Sequence, residues 1–232
     1  MDNLEVKLKQ GQPEKILIQL KHYKQKYNWD CGVSCVLMVL PNKSRQILLK
    51  NFFHICKEEG FNKSTWTIDL CYLLRRYNIE HEFYTVTLGV HPGYRGNSFY
   101  NNILDKDEER IRNKFNEAKA NGVNVREASV SISFLIEHLT QGPAILLTNA
   151  RLLTCDICKL NKLSVELRKC LPWPSTSYQG HYIVLCGYDI NNRKVYYRNP
   201  SLQDRVCMMP VETLEEARKS FGTDQDLILI YS

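Results

Sequence analysis

Residues 27–40, YNWDCGVSCVLMVL, decide how this chain is read. Polar and aromatic residues up to Asp30 give way at Cys31 to an apolar run, broken by Ser34 and stopped by Pro41-Asn42. That pattern predicts a short buried helix starting at Cys31 and ending before the proline. A thiol there faces the unpaired amides of the first turn and the positive end of the helix dipole. Both favour the thiolate, the form that attacks a carbonyl carbon. Cys31 is therefore the candidate nucleophile, whereas Cys35, one turn on, reads as a small buried hydrophobe.

A nucleophile at a helix start needs a base from elsewhere in the chain. Of the six histidines, His181 opens the apolar run HYIVLCGY (181–188) directly after Gln179-Gly180, and a strand edge holds a ring rigidly across a cleft. A turn at 189–193 leads into a second strand at 194–198. If the two strands pair as a hairpin, Asn199 in Arg198-Asn199-Pro200 lies beside His181 and can fix its tautomer. Gln25, six residues before Cys31, is placed to complete an oxyanion hole with the Cys31 backbone N–H. Taken singly these residues are bland, His181 as a strand-end histidine and Asn199 as a turn residue capping its own backbone. Their joint spacing points to a catalytic or relict-catalytic centre.

Outward from this core, a polar lead-in (1–15) precedes a short strand at 16–20. Helices are expected at 44–59 and at 67–77, the latter with Ser64, Thr65 and Thr67 as candidate caps. A strand at 80–87, an irregular loop at 88–102, a charged helix at 105–120 and a further helix at 131–140 follow. Strands at 144–149 and 227–231 flank a last helix near 212–220. The expectation is a single α+β domain over 16–232, N-terminal helices packed on an antiparallel sheet.

Composition supports an ordinary globular domain. The chain has 232 residues, 44% hydrophobic and 24% charged, enough to bury a core of its own. Its 31 Lys and Arg against 25 Asp and Glu leave +6, spread without a polybasic block, so no nucleic-acid partner is expected. The apolar runs fall far short of the ~20 residues of a membrane span. The start MDNLEVKLKQGQPEK is charged where a secretory leader is apolar. That suggests a cytoplasmic chain, with the nucleus open to it as well, and nine cysteines that are mostly free thiols. Oligomeric state is left open.

Cys155, Cys158 and Cys170 form a Cys-x-x-Cys pair followed by one more cysteine. Three ligands are too few for a closed structural zinc site, although Cys207 or a histidine could add a fourth. No metal or cofactor is expected there, an exposed reducible pair being the other special reading. Cys56, Cys71 and Cys186 read as core, Trp29 and Trp66 as core or cleft wall. The aromatic loop with His91, Tyr94, Arg95, Phe99 and Tyr100 reads as a packed loop over the cleft, and the charged helix near Arg110 as a solvated face.

The order Gln25, Cys31 at a helix start, a distant His181 on a strand and then Asn199 resembles the papain-like cysteine peptidases. Within them, the bacteriocin-processing peptidase domains of ABC transporters are similar at Gln25, Asp30-Cys31-Gly32, His181 and Asn199-Pro200, with Asn here in place of their Asp. This resemblance implies a papain-like fold and a peptide or protein substrate. A second resemblance runs from about Leu20 to Tyr231. YNWDCGVSC, STWTIDLCYLLRRY, TLGVHPGYRGNSFY, YQGHYIVLCGYD and FGTDQDLILIY look like the guanylyl cyclase domain-containing protein family. That name implies a nucleotide cyclase, which needs two carboxylates holding paired Mg²⁺ and a clamp for a triphosphate. No Gly-rich phosphate loop opens a helix, and the acids at 105–109 and at Asp224 and Asp226 read as a helix start and a turn. The residues favour a cysteine-dependent hydrolase, a peptidase in type. A guanylyl cyclase making cyclic GMP from GTP and a catalytically silent binding module that keeps the cleft are the alternatives.

Overall fold

A computed structural model describes residues 11–61, 64–94, 101–159, 161 and 178–231. After β1 (Lys15–Leu17) come four helices, α1 (Cys31–Val39), α2 (Asn42–Lys50), α3 (Phe52–Glu58) and α4 (Thr67–Arg76). β2 (His81–Thr85), α5 (Asn101–Glu117), β3 (Val125–Glu127), α6 (Ile132–His138) and β4 (Ala144–Asn149) follow. The C-terminal part holds β5 (Gly180–Asp189), β6 (Lys194–Arg198), β7 (Cys207–Pro210), α7 (Val211–Arg218) and β8 (Leu227–Ile230). The strands form one sheet in the order β3-β2-β8-β4-β5-β6-β7, with β1 on β5.

The α+β class stands, and helices α1 to α4 lie on one face of the sheet as expected. Two features differ. The sheet is antiparallel except at its edge, where β3 runs parallel to β2. The other face is covered too: Ile145, Leu147, Tyr182 and Val184 belong to the core with α1 and α4, while Leu146, Ile183 and Leu185 belong to a second core with α6 and α7. Side chains alternate across a strand, so apolar residues at every position mean burial on both sides. The sequence reading had one such layer.

The hairpin of β5 and β6 forms, with Val184 opposite Arg198 and a register shift between Leu185 and Gly187. At that irregularity β1 comes so close that a Cβ on Gly187 would sit 2.2 Å from the Ile16 carbonyl oxygen. Only glycine admits the third strand there.

Several expected elements are redrawn. The helix over 44–59 breaks at Asn51, whose backbone leaves the helical region (φ −112°) and whose side-chain amide donates to the Ile47 carbonyl at 3.1 Å. The N-cap of α4 is Trp66, its N–H bound by the Asp69 carboxylate at 3.0 Å. Thr65 donates instead to the Trp29 carbonyl. The charged helix is no solvated face. Arg110 on α5 pairs with Asp69, a carboxylate with no exposed surface, and also reaches Asp107 at 3.2 Å, while Lys114 reaches Asp69 at 2.9 Å. A carboxylate that caps α4 from within the core needs cations brought to it, and α5 supplies them. Cys35, Cys56, Cys71 and Cys186 are buried, as expected. Tyr94 is buried against His91 and Phe221, whereas Arg95, Phe99, Tyr100 and Cys170 lie outside the described residues. Among the described residues no helix is long and apolar enough to cross a membrane.

Candidate active site

The first turn of α1 is held by the loop before it. The buried Asp30 carboxylate accepts the N–H groups of Lys26 at 3.1 Å and Tyr27 at 3.0 Å, and the Asp30 carbonyl accepts the Ser34 N–H that starts the helix. This loop delivers Cys31 against the middle of the molecule. A Cβ on Gly32 would lie 2.8 Å from Leu70 and 3.0 Å from Tyr182, so the small residue after the cysteine lets α1 seat on α4 and β5 together. The Cys31 sulfur accepts the backbone N–H of Tyr182, next in chain to His181, along with N–H groups of its own first turn.

His181 and Asn199 meet as the hairpin predicts. His181 Nε2 lies 2.9 Å from Asn199 Oδ1. That oxygen also accepts from the Ser201 N–H at 3.0 Å and the Ser201 hydroxyl at 2.7 Å. The Ser201 N–H can only donate, so it fixes the orientation of the Asn199 amide. Nε2 must then carry the proton, and in the neutral ring Nδ1 is left as the basic nitrogen. Sequence reasoning placed Asn199 beside His181 but missed Ser201, which fixes the Asn199 amide.

Gln25 is drawn to the same corner, its backbone N–H donating to the Pro200 carbonyl at 2.9 Å, one residue beyond Asn199. Its side-chain amide donates to the Tyr27 carbonyl at 2.7 Å. Nε2 has two hydrogens, so one N–H of the expected oxyanion donor is already engaged and one remains.

The electrostatics differ from the expectation of a ready thiolate. Burial pushes the Cys31 thiol up to about 11, and the Asp30 carboxylate adds to the rise. The N–H groups of Tyr182, Gly32 and Cys31 oppose it without cancelling it. Burial likewise lowers the His181 pKa, against the Asn199 hydrogen bond that raises it. Cys31 is 7% exposed, His181 9% and Asn199 2%. In so closed a corner the helix terminus loses to desolvation, and burial favours the neutral thiol of Cys31 and the neutral imidazole of His181.

Behind the site, the Tyr182 hydroxyl meets the Thr67 hydroxyl at 2.9 Å, and Thr67 bonds Asp226. The sequence offered Thr67 only as a candidate cap and Tyr182 only as part of an apolar strand, because this contact joins β5, α4 and the residue before β8. Asp226 is half-buried, and burial followed by the Asp224 charge raises its pKa to about 8. These two acids border a cavity of about 10 Å³, room for a single water. Paired hydrated Mg²⁺ with a triphosphate does not fit between them. Of the other acids weighed from the sequence, Asp107 is buried and bound to Arg110, Ser64 and the Trp66 indole.

Away from this corner, Cys155 and Cys158 are joined by Cys207.

An α+β domain thus sets a helix-start cysteine beside a strand that carries a histidine, with an asparagine just past the next hairpin strand bonded to the ring. The model of the guanylylate cyclase family matches residues 20–230, and the chain belongs to that family. It is 35% identical over 223 residues to a protein of Arabidopsis thaliana named guanylyl cyclase 1, a match covering 95% of this chain and 78% of the relative. Among solved structures it is similar to a chain described as a C39-like peptidase from Bacillus anthracis. That match has 15% identity and a TM-score of 0.49 and covers 95% of this chain and 98% of the other.

Proposed function

We propose that the protein is a cysteine-dependent hydrolase acting on a peptide or isopeptide bond of a peptide or protein substrate. The observation that carries this reading is the fixed tautomer of His181, which leaves Nδ1 as a base at the strand that touches the Cys31 sulfur. In this reading the Cys31 sulfur attacks the scissile carbonyl carbon while its proton passes to His181 Nδ1. The C–N bond then breaks, the leaving amine takes that proton, and a thioester remains on Cys31. Water attacks the thioester, gives a proton back through His181 to the sulfur, and releases the acid. The Cys31 backbone N–H and the second N–H of Gln25 would hold the oxyanion. Asn199 keeps the ring in register throughout.

The test is labelling of the full chain by a peptidyl electrophile, followed by peptide mapping, together with turnover of fluorogenic peptide and isopeptide substrates. Labelling at Cys31 and turnover lost in Cys31→Ala and His181→Ala are the expected result. Absence of both in correctly folded protein would leave the silent binding module in place of the hydrolase.

A second reading, a guanylyl cyclase, is favoured by the family description and by the name of the Arabidopsis relative. Against it stands the water-sized space between Asp224 and Asp226. Cyclic GMP formed from GTP and Mg²⁺ by Cys31→Ala protein, and abolished by replacing a carboxylate pair, would establish the cyclase and overturn the hydrolase.

A further inference from the structure

The loop after β4 and the edge strand β7 are far apart in sequence, yet they bring three sulfurs together. Those of Cys155, Cys158 and Cys207 all lie within 4.8 Å of one another. Cys155 and Cys207 have no exposed surface, and Cys158 is half-buried at the outer side. From this geometry we propose that Cys155, Cys158 and Cys207 form a binding site for one thiophilic divalent cation, Zn²⁺ in chemical type.

The size is right. Tetrahedral zinc with Zn–S bonds of about 2.3 Å holds its sulfurs about 3.8 Å apart, so the three need contract only slightly around an ion. The surroundings are those of a preformed knuckle. The Cys155 sulfur accepts the Cys158 N–H at 3.3 Å, and the N–H groups of Met208 and Ile157 also point at it. Such N–H donors stabilise a metal thiolate and orient its lone pairs. The loop is pinned independently, by the Asp156 N–H on the Met208 carbonyl at 2.8 Å, the Tyr197 hydroxyl on the Thr154 carbonyl at 2.6 Å and Lys194 on Asp156 at 2.7 Å. Those contacts hold the sulfurs close without a disulfide: all three are free thiols.

Binding would release three protons, one from each thiol, and leave a complex of charge −1 with its fourth position open to water on the Cys158 side. The ion would staple the loop after β4 to β7, the outermost strand on that side of the sheet. It would act on stability and not at Cys31.

The experiment uses the full chain purified under reducing conditions with neither chelator nor added metal. Elemental analysis should find about one zinc per chain, and Co²⁺ replacement should give a thiolate-to-cobalt charge-transfer band with tetrahedral visible bands. Zinc affinity, read by competition with a chromophoric chelator, should fall in Cys155→Ser and Cys158→Ser by at least the ~100-fold that upper-limit outer-shell losses cost. Cys56→Ala should keep its zinc. Cys158 is partly exposed, so its variant serves if Cys207→Ser fails to fold. Chelation should lower the melting temperature of the wild type, and zinc should restore it. Wild-type protein that holds only trace metal and gains no stability from added zinc would overturn the proposal. So would zinc retained in both serine variants, or a Cys155–Cys158 disulfide that forms equally with and without zinc.

Discussion

The burial that raises the Cys31 thiol has a quantitative consequence for how that thiol reacts. An unperturbed cysteine with pKa about 8.5 is about 7% thiolate at pH 7.4. With the pKa of Cys31 pushed up to about 11 by burial, the thiolate fraction falls about 300-fold below that of the unperturbed thiol. A more basic thiolate is a better nucleophile, which by a Brønsted slope of about 0.4–0.5 returns a little over tenfold. Cys31 should therefore alkylate about 20-fold more slowly than a free thiol at neutral pH on ionisation grounds alone, and more slowly still because it is 7% exposed. The assay is the second-order rate constant for iodoacetamide at Cys31, followed by peptide mass spectrometry from pH 5 to 10. The rate should climb steadily with pH, with no plateau in the acid range, and His181→Ala should leave that shape unchanged. Asn199→Asp adds a charge that stabilises imidazolium and should shift reactivity to lower pH. A wild-type rate that levels off below pH 7 and loses that plateau in His181→Ala would mean a thiolate–imidazolium pair at rest, and the reasoning from burial would fail. Hydrolysis with a slow resting thiol is consistent: the proton then leaves the sulfur for Nδ1 as the sulfur attacks, in the manner of a hydroxyl nucleophile.

Asp226 should make the protein less stable as pH rises. Its folded pKa, raised by burial to about 8, lies above the unfolded value of about 3.9, so the native state holds the extra proton. That contribution is full below pH 4 and is lost progressively up to pH 8. Urea unfolding at pH 5 and pH 8 should show a smaller pH loss in Asp226→Asn than in wild type, and an equal loss in both would refute this. Arg110→Met strips one cation from the fully buried Asp69 and should cost on the order of 3–5 kcal/mol in the same assay. A loss under about 1 kcal/mol would mean that Lys114 alone satisfies Asp69.

What the sequence disclosed and what it hid follow a physical line. Cys31, His181 and Asn199 were legible because each is placed by local rules: a helix start before an apolar run, a strand after a glycine, the end of a hairpin. The pairing of β5 with β6 then brought His181 to Asn199 at 2.9 Å from a sequence distance that a two-strand turn covers. Features that depend on distant elements were not legible. The inward face of α5 looked like a solvated charged helix because the buried acid it serves, Asp69, lies on α4. Cysteine spacing grouped Cys170, which lies outside the described residues, with Cys155 and Cys158 and offered Cys207 only as one of several possible fourths, whereas β7 brings Cys207 to the pair from some fifty residues away.

The expectation of a ready Cys31 thiolate meets burial for the same reason. A helix terminus can be seen in sequence and favours the thiolate, whereas the enclosure that outweighs it is made by Tyr182, Leu70 and the closing layers of the fold. Desolvation acts on every buried charge, while the dipole acts only along one axis and over one turn. In a corner where Cys31, His181 and Asn199 are each less than one-tenth exposed, the larger effect decides. On the proposed hydrolase reading, the reactivity of Cys31 is therefore set by whatever opens or fills that corner, and a substrate that brings its own carbonyl to the sulfur would be the agent.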